Sequence, residues 1–335
     1  MKLKNGKLDS GLLEKLLAGS VCDNDNVIVG PKVGADCAFV KFEEGVYAVG
    51  GDPITFEVSR PGYYAIHVNA NDVAVSGAIP SYYTQTIILP TGTELCELNA
   101  IMEDSVNTAK DLGITLIGGH TEISDVVKRP LISICMFGQT IKKVNLAEDI
   151  QSGDVIVQIN SLAMEGTAIL AEMFSDELLM KYDEEYIQKA KDLIYYPGLS
   201  IVKPAVYASK ELPVKLMHDP TEGGIVTALR EIAVQTNCGL LVEEDKFIIK
   251  EQTINICKEC GCDPLGLISS GTLLAVFSEE DANDALNSFV ELGYKVAIVA
   301  RFTDFVGEYK SFKDGEVGEL REFKVDELYS ITNYE

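Results

Sequence analysis

Apolar positions follow two periods along this chain, and the switches between them mark its elements. Alternating β-branched and aromatic runs predict strands over Ala38–Val40, Val46–Val49, Ser81–Leu89, Ile114–Ile117 and Leu131–Phe137. Between them, Arg60-Pro61-Gly62 opens a helix that Gly77 stops, and Thr91 with Glu94 three residues on begins another that ends near Gly113. A short helix over Ser10–Leu17 precedes these elements.

Gln151-Ser152-Gly153-Asp154 marks a turn, and the domain boundary is placed just before it, giving domains over 1–149 and 150–335. The second domain reads as helices over Gly166–Phe174, Glu184–Leu193, Leu199–Ser209, Glu222–Thr236 and Glu280–Leu292. Its strands fall at Val155–Ile159, Gly239–Val242, Thr272–Phe277 and Lys295–Val299. Such alternation implies mixed α/β layers in each domain.

Composition narrows the function classes. The 335 residues suffice for two ordinary cores, and no 18-residue apolar run exists to span a membrane. Glu14 and Lys15 break the apolar stretch near the start, so no signal peptide is read there and the expected location is the cytoplasm. A net charge of −24 disfavours nucleic acid and anionic membranes as partners. The same field repels a phosphorylated substrate, which then needs a divalent metal or a local basic patch.

Eight cysteines in a chain without a secretory signal are expected to be reduced thiols. Cys257, Cys260 and Cys262 cluster but supply three soft ligands where a structural zinc wants four.

Five polar motifs interrupt the apolar pattern. They are Gly34-Ala35-Asp36, Gly50-Gly51-Asp52-Pro53, Asn71-Asp72, Gly118-Gly119-His120-Thr121-Glu122 and His218-Asp219-Pro220-Thr221-Glu222-Gly223-Gly224. Glycine admits a phosphate close to the backbone, and Mg²⁺ takes one or two carboxylates together with waters and phosphates. Each motif taken alone also reads as a turn. Asn71-Asp72 is different, because it falls inside an apolar helix where a carboxylate needs a partner or a metal. His67 lies one turn before Asn71 on the same face and reads first as a core histidine. The P-loop, the dinucleotide glycine fingerprint and the protein-kinase motifs are absent from the sequence.

The segments GPKVGADCA, GGDPITF, NANDVAVSGAIP, LIGGHTE, QSGDVIVQI, HDPTEGG and SSGTLLA, in this order, resemble the aminoimidazole-ribonucleotide synthetase (AIR synthase) superfamily from about residue 28 to about residue 300. The resemblance implies an α+β N-terminal domain whose sheet pairs across a homodimer into a barrel, and a C-terminal α/β domain. It implies ATP in a groove between the domains, with Mg²⁺ held by acids. Matched by motif, the metal ligands are Asp36, Asp52, Asp72 and Asp219, and the catalytic acids are Asp72, Glu122 and Asp219. The nucleotide contacts are Asn71, Gly118, Gly119, Thr121, Thr221, Gly223 and Gly224.

DPTEGG and SSGTLLA are most similar to the HypE-type hydrogenase-maturation branch, which dehydrates a thiocarboxamide carried on a C-terminal cysteine. Here the last cysteine is Cys262 and the chain closes Tyr329-Ser330-Ile331-Thr332-Asn333-Tyr334-Glu335. Selenophosphate synthesis would ask Cys22 to be a reactive thiol, and an inert Cys22 is the favoured reading. The resulting expectation is a Mg-ATP-dependent phosphoryl-transfer enzyme, a HypE-like paralogue with an unassigned small-molecule or protein-thiol acceptor. Its alternatives are a maturation protein acting on a carbamoylated thiol, and a non-catalytic nucleotide-binding or scaffold protein.

Overall fold

The computed structural model describes residues 25–30, 37–56, 58–141 and 147–332, together with Gly11. The helix expected over Ser10–Leu17, apart from Gly11, and both Cys22 and Asp36 lie outside the described residues. The chain divides into two compact units, the first built on Ala35–Val144 and the second on Asn145–Glu335. No helix among the described residues is long and apolar enough to cross a membrane.

In the first unit seven strands make one sheet: β1 (Val27–Val29), β2 (Ala38–Phe42), β3 (Gly45–Gly50), β4 (Pro53–Ile54), β5 (Ala78–Pro90), β6 (Thr115–Ser124) and β7 (Leu131–Thr140). Their order is β1-β2-β3-β7-β5-β6, with β4 also paired to β7. Two helices, α1 (Pro61–Val75) and α2 (Leu95–Asp111), pack against each other. Helix α2 is the crossover between β5 and β6, which run parallel; β5 pairs antiparallel to β7 on its other side.

Pro61 at the first turn starts α1, and thirteen of its fifteen residues are buried. A helix buried all round is apolar all round by necessity, so the polar exceptions His67, Asn69, Asn71 and Asp72 stand out. Its last turn is closed by Ser76, whose N–H and hydroxyl both donate to the Asp72 carbonyl, at 3.2 and 2.9 Å.

The second unit carries β8 (Val155–Ile159), β9 (Leu216–His218), β10 (Gly239–Glu243), β11 (Leu273–Phe277), β12 (Val296–Thr303), β13 (Tyr309–Lys313) and β14 (Glu316–Glu319). The sheet order is β14-β13-β10-β12-β8-β11-β9. Strands β8 and β11 are buried at every residue, which accounts for their unbroken apolar runs.

Its helices are α3 (Met164–Met173), α4 (Ser175–Leu178), α5 (Glu184–Lys191), α6 (Val202–Glu211), α7 (Gly224–Thr236), α8 (Glu251–Cys260), α9 (Glu279–Glu291) and α10 (Glu327–Thr332). Helix α3 packs on α5 and α8, and α9 lies on β8, β11 and β12.

Most expected elements recur here with ends moved by a few residues. Strand β6 differs more. It continues through Gly118-Gly119 to Ser124, so that motif lies inside a strand rather than in a turn at its end. Strands β1, β4 and β9, helices α4, α8 and α10 and the β13–β14 hairpin are not among the expected elements.

Candidate functional site

In the first unit two of the candidate acids, Asp52 and Asp72, are tied to α1. Asn69 clamps the backbone of Asp52: its Oδ1 accepts from the Asp52 N–H at 2.8 Å, and its Nδ2 donates to the Asp52 carbonyl at 3.1 Å. Nδ2 also donates to the Ala65 carbonyl at 2.9 Å, one turn back along the helix. Asn69 and Asp72 are three residues apart and share a helix face. The clamp therefore brings Asp52 to the side of α1 that bears Asp72. Asp52 is exposed, whereas Asp72 is 6% exposed and Asn71 fully buried.

Asn69 escaped the sequence reading. Its only signal was a third polar residue in the run Asn69-Ala70-Asn71-Asp72.

His67 is a core histidine. Burial first, and the Arg60 charge second, push its imidazole down to about 4, so it is neutral at pH 7. Its ring meets Tyr63 edge-on at 4.4 Å between centroids.

Gly118, Gly119, His120, Thr121 and Glu122 all lie on β6 and all are exposed. The β5–β6 register slips between Tyr83 and Thr84, which leaves Ile117 as an extra residue on β6. Just past this bulge the strands come close: a Cβ on Gly119 would stand 2.1 Å from the Gln85 carbonyl oxygen. Gly119 is thus required by the ladder itself, while Gly118 has room for a side chain. Glu122 Oε2 lies 3.4 Å from His120 Nε2, two residues back on the same face.

In the second unit Asp219 directly follows β9 and is 1% exposed. His218, the last residue of β9, holds Glu231 of α7 through Nε2 at 3.2 Å. Beyond Asp219 the chain turns through Thr221, which is half-buried, into two glycines with left-handed backbone, Gly223 (φ 88°) and Gly224 (φ 69°). Only glycine adopts this pair without strain. A Cβ on Gly224 would also strike the Leu265 carbonyl oxygen at 2.5 Å.

The Gly223 N–H, expected near phosphate, donates instead to Oδ2 of Asp326 at 2.6 Å, and Oδ1 of Asp326 accepts from Leu328 N–H at 2.9 Å. Burial pushes the Asp326 carboxyl up to about 7, against the pull of those N–H groups. Nothing in the local sequence Lys324-Val325-Asp326-Glu327 set this residue apart.

A second buried acid, Glu165, lies near the start of α3 and is 3% exposed. Burial raises it to about 7, with hydrogen bonds to Ser270 acting in the opposite sense. Glu165 was also absent from the sequence-derived set.

Among the described residues no three His, Cys, Asp or Glu side chains stand together so as to hold a metal ion. Cys257, Cys260 and Cys262 are free thiols, the first two in α8 and the third just beyond its end.

Residues 34–140 match the family described as AIR synthase related protein, N-terminal domain, and residues 151–308 match the corresponding C-terminal domain. A hydrogenase expression/formation protein of Methanocaldococcus jannaschii is 30% identical over 78% of this chain and 76% of its own length. The carbamoyl dehydratase HypE of Rhizobium leguminosarum bv. viciae is 27% identical over 79% of this chain and 75% of its own. Among solved structures, the hydrogenase maturation protein HypE in complex with ATP superposes with a TM-score of 0.73 at 22% identity, covering 88% of this chain and 89% of that one.

Proposed function

The chain belongs to the AIR synthase related family, and from that premise we propose that it consumes Mg-ATP to activate the oxygen of a carbamoyl group carried on a thiol. The similar proteins named carbamoyl dehydratase move the reading from an unassigned acceptor to this one.

The observation that carries the proposal is the burial of two motif acids, Asp72 at 6% and Asp219 at 1% exposure. A carboxylate withdrawn from water to this degree is kept where hydrogen-bond donors or positive charge meet it. In this reading Asp36, Asp52 and Asp72 of the first unit and Asp219 of the second would each be a ligand for Mg²⁺ arriving with the nucleotide. Bound Mg²⁺ would neutralise phosphate charge that a chain of −24 otherwise repels.

Asn71, Gly118, Gly119, Thr121 and Thr221 are nucleotide contacts in the same reading, and Glu122 a catalytic acid. Gly223 and Gly224 contribute by shaping the turn, since the Gly223 N–H is taken by Asp326. The carbamoyl oxygen forms a bond to the terminal phosphorus while the bond to the ADP oxygen breaks, its electron pair leaving on ADP. Loss of phosphate, with both N–H protons released to solvent, leaves a nitrile on the thiol. Positioning and charge neutralisation supply most of the catalysis in such a transfer.

The unpaired edge of β6 supports a second element of the reading, that two copies pair through the first unit as a homodimer. Seven free cysteines among the described residues agree with a reducing, cytoplasmic setting.

Calorimetry with Mg-ATP, together with ADP release in the presence of a carbamoylated thiol, tests the proposal. Binding that requires Mg²⁺ and weakens about 100-fold in Asp219→Asn and in Asp72→Asn is expected. Wild-type affinity in both variants would remove the acids from the site. Nucleotide binding without any turnover on carbamoylated thiols would remove the assigned acceptor.

A further inference from the structure

The nucleotide reading leaves unused the most tightly stitched part of the second unit. Between β8 and α3 the chain passes through Asn160 (φ 68°) and Ala163 (φ 54°), both left-handed although neither is glycine. Such residues persist where the surroundings over-determine them. Here the surroundings are the turn Ser269–Thr272 that leads into β11. Asn160 Nδ2 donates to the Gly271 carbonyl at 3.1 Å, and the Ala163 N–H donates to Ser269 Oγ at 2.7 Å. Thr272 Oγ1 donates to the Ser161 carbonyl at 3.0 Å and lies 3.0 Å from Ser269 Oγ.

Glu165 holds the one residue of the turn that these bonds miss. The Ser270 N–H donates to Glu165 Oε2 at 3.2 Å, and the buried Ser270 hydroxyl also acts on this carboxylate. Removing the carboxylate would leave the Ser270 N–H without this acceptor in the interior, which no folded turn tolerates cheaply.

The turn matters beyond itself because β11 pairs antiparallel with β9, Leu274 opposite His218, and Asp219 is the next residue. From the other side, His218 is tied to Glu231 of α7. The end of β9 is thus fixed between α7 and the strand that the Ser269–Thr272 turn starts.

We propose that Glu165 is a positioning residue for Asp219, holding the Ser269–Thr272 turn and, through the β11–β9 ladder, the end of β9. The assignment rests on the reading of Asp219 as a ligand of the Mg-nucleotide.

Hydrogen–deuterium exchange and Mg-ATP calorimetry on the full chain test it with Glu165→Ala and Glu165→Gln. Glu165→Ala is expected to exchange at least about tenfold faster both in 269–277 and in 216–220, and to bind Mg-ATP about tenfold more weakly. Glu165→Gln keeps an oxygen for the Ser270 N–H and is expected to stay within about threefold of wild type on both measures. Should Glu165→Ala fail to fold, Glu165→Asp, which withdraws the carboxylate by one methylene, is read by the same criteria. Loosening confined to 269–277, with 216–220 and nucleotide affinity unchanged, would overturn the proposal. So would Glu165→Gln behaving like Glu165→Ala. If the wild type binds no Mg-ATP, the nucleotide reading fails on that arm alone, and the exchange arm still decides whether Glu165 governs the end of β9.

Discussion

Glu165 and Asp326 are both carboxyls raised to about 7 by burial, against ordinary values of 4.5 and 3.8. For an acid whose folded value is raised, the stabilising contribution is complete below the unfolded value and is lost as pH rises through the folded one. His67, lowered from 6.5 to about 4, loses stability as pH falls and opposes them. The two acids outweigh it, so wild type is expected to melt at a higher temperature near pH 5 than at pH 8. For Glu165 the displacement from 4.5 to about 7 corresponds to about 3 kcal/mol at pH 8. Glu165→Gln removes the buried charge and keeps an acceptor for Ser270. It should be more stable than wild type at pH 8 and nearly equal to it at pH 4. Thermal melts at the two pH values check this, and an unchanged difference between the proteins would show that Glu165 does not titrate with folding. Neither residue was legible in the sequence. A glutamate in the first turn of a helix and an aspartate before Glu327 are ordinary surface patterns, and only the tertiary fold buries them. Asp72 was legible because its helix is apolar on every side, and Asp219 because glycines and proline punctuate its motif.

At the scale of elements, the β5–β6 pair shows what a motif glycine can be for. Gly118 and Gly119 look equivalent in the sequence, yet a Cβ would meet nothing nearer than Thr84 Cγ2 at 3.9 Å from Gly118, and the Gln85 carbonyl oxygen at 2.1 Å from Gly119. Gly119→Ala must push the strands apart and is expected to cost about 1–3 kcal/mol, while Gly118→Ala should stay within about 0.5 kcal/mol of wild type in chemical denaturation. Equal effects would show that the bulge at Ile117 does not set the register. The elements missed in the sequence have separate physical causes. Helix α8 carries Thr253, Ile256 and Cys257 on one buried face, at helical spacing, but its cysteines drew the reading toward metal chemistry. The β13–β14 hairpin did carry its signal, Asp314-Gly315, and both residues are left-handed (φ 52° and 85°), as a two-residue hairpin loop requires. Strand β9 has three residues, too few for any period to show.

For the whole molecule the decisive feature is the outer strand of the first sheet. Among the described residues strand β6 has a single strand neighbour, β5, and its residues from Thr115 to Ile123 are all exposed, Ile117 and Ile123 at 55% and 53%. A ten-residue edge with unpaired backbone groups and apolar side chains invites pairing unless something covers it. Charge alone would keep two copies apart, since each carries −24. Along β6, however, Glu122 is the only acidic residue, and His120 lies beside it. Repulsion between copies is thus a long-range effect of the remaining surface, which salt screens, whereas an apolar contact along β6 would not be weakened by it. A dimer held in this way tightens as ionic strength rises. Light scattering at micromolar protein should find wild type dimeric, with a dissociation constant that falls between low salt and about 0.15 M. The double variant Ile117→Lys, Ile123→Lys should be monomeric at both and retain its fold. A monomeric wild type, or a dimer that the double variant leaves intact, would take β6 out of the interface.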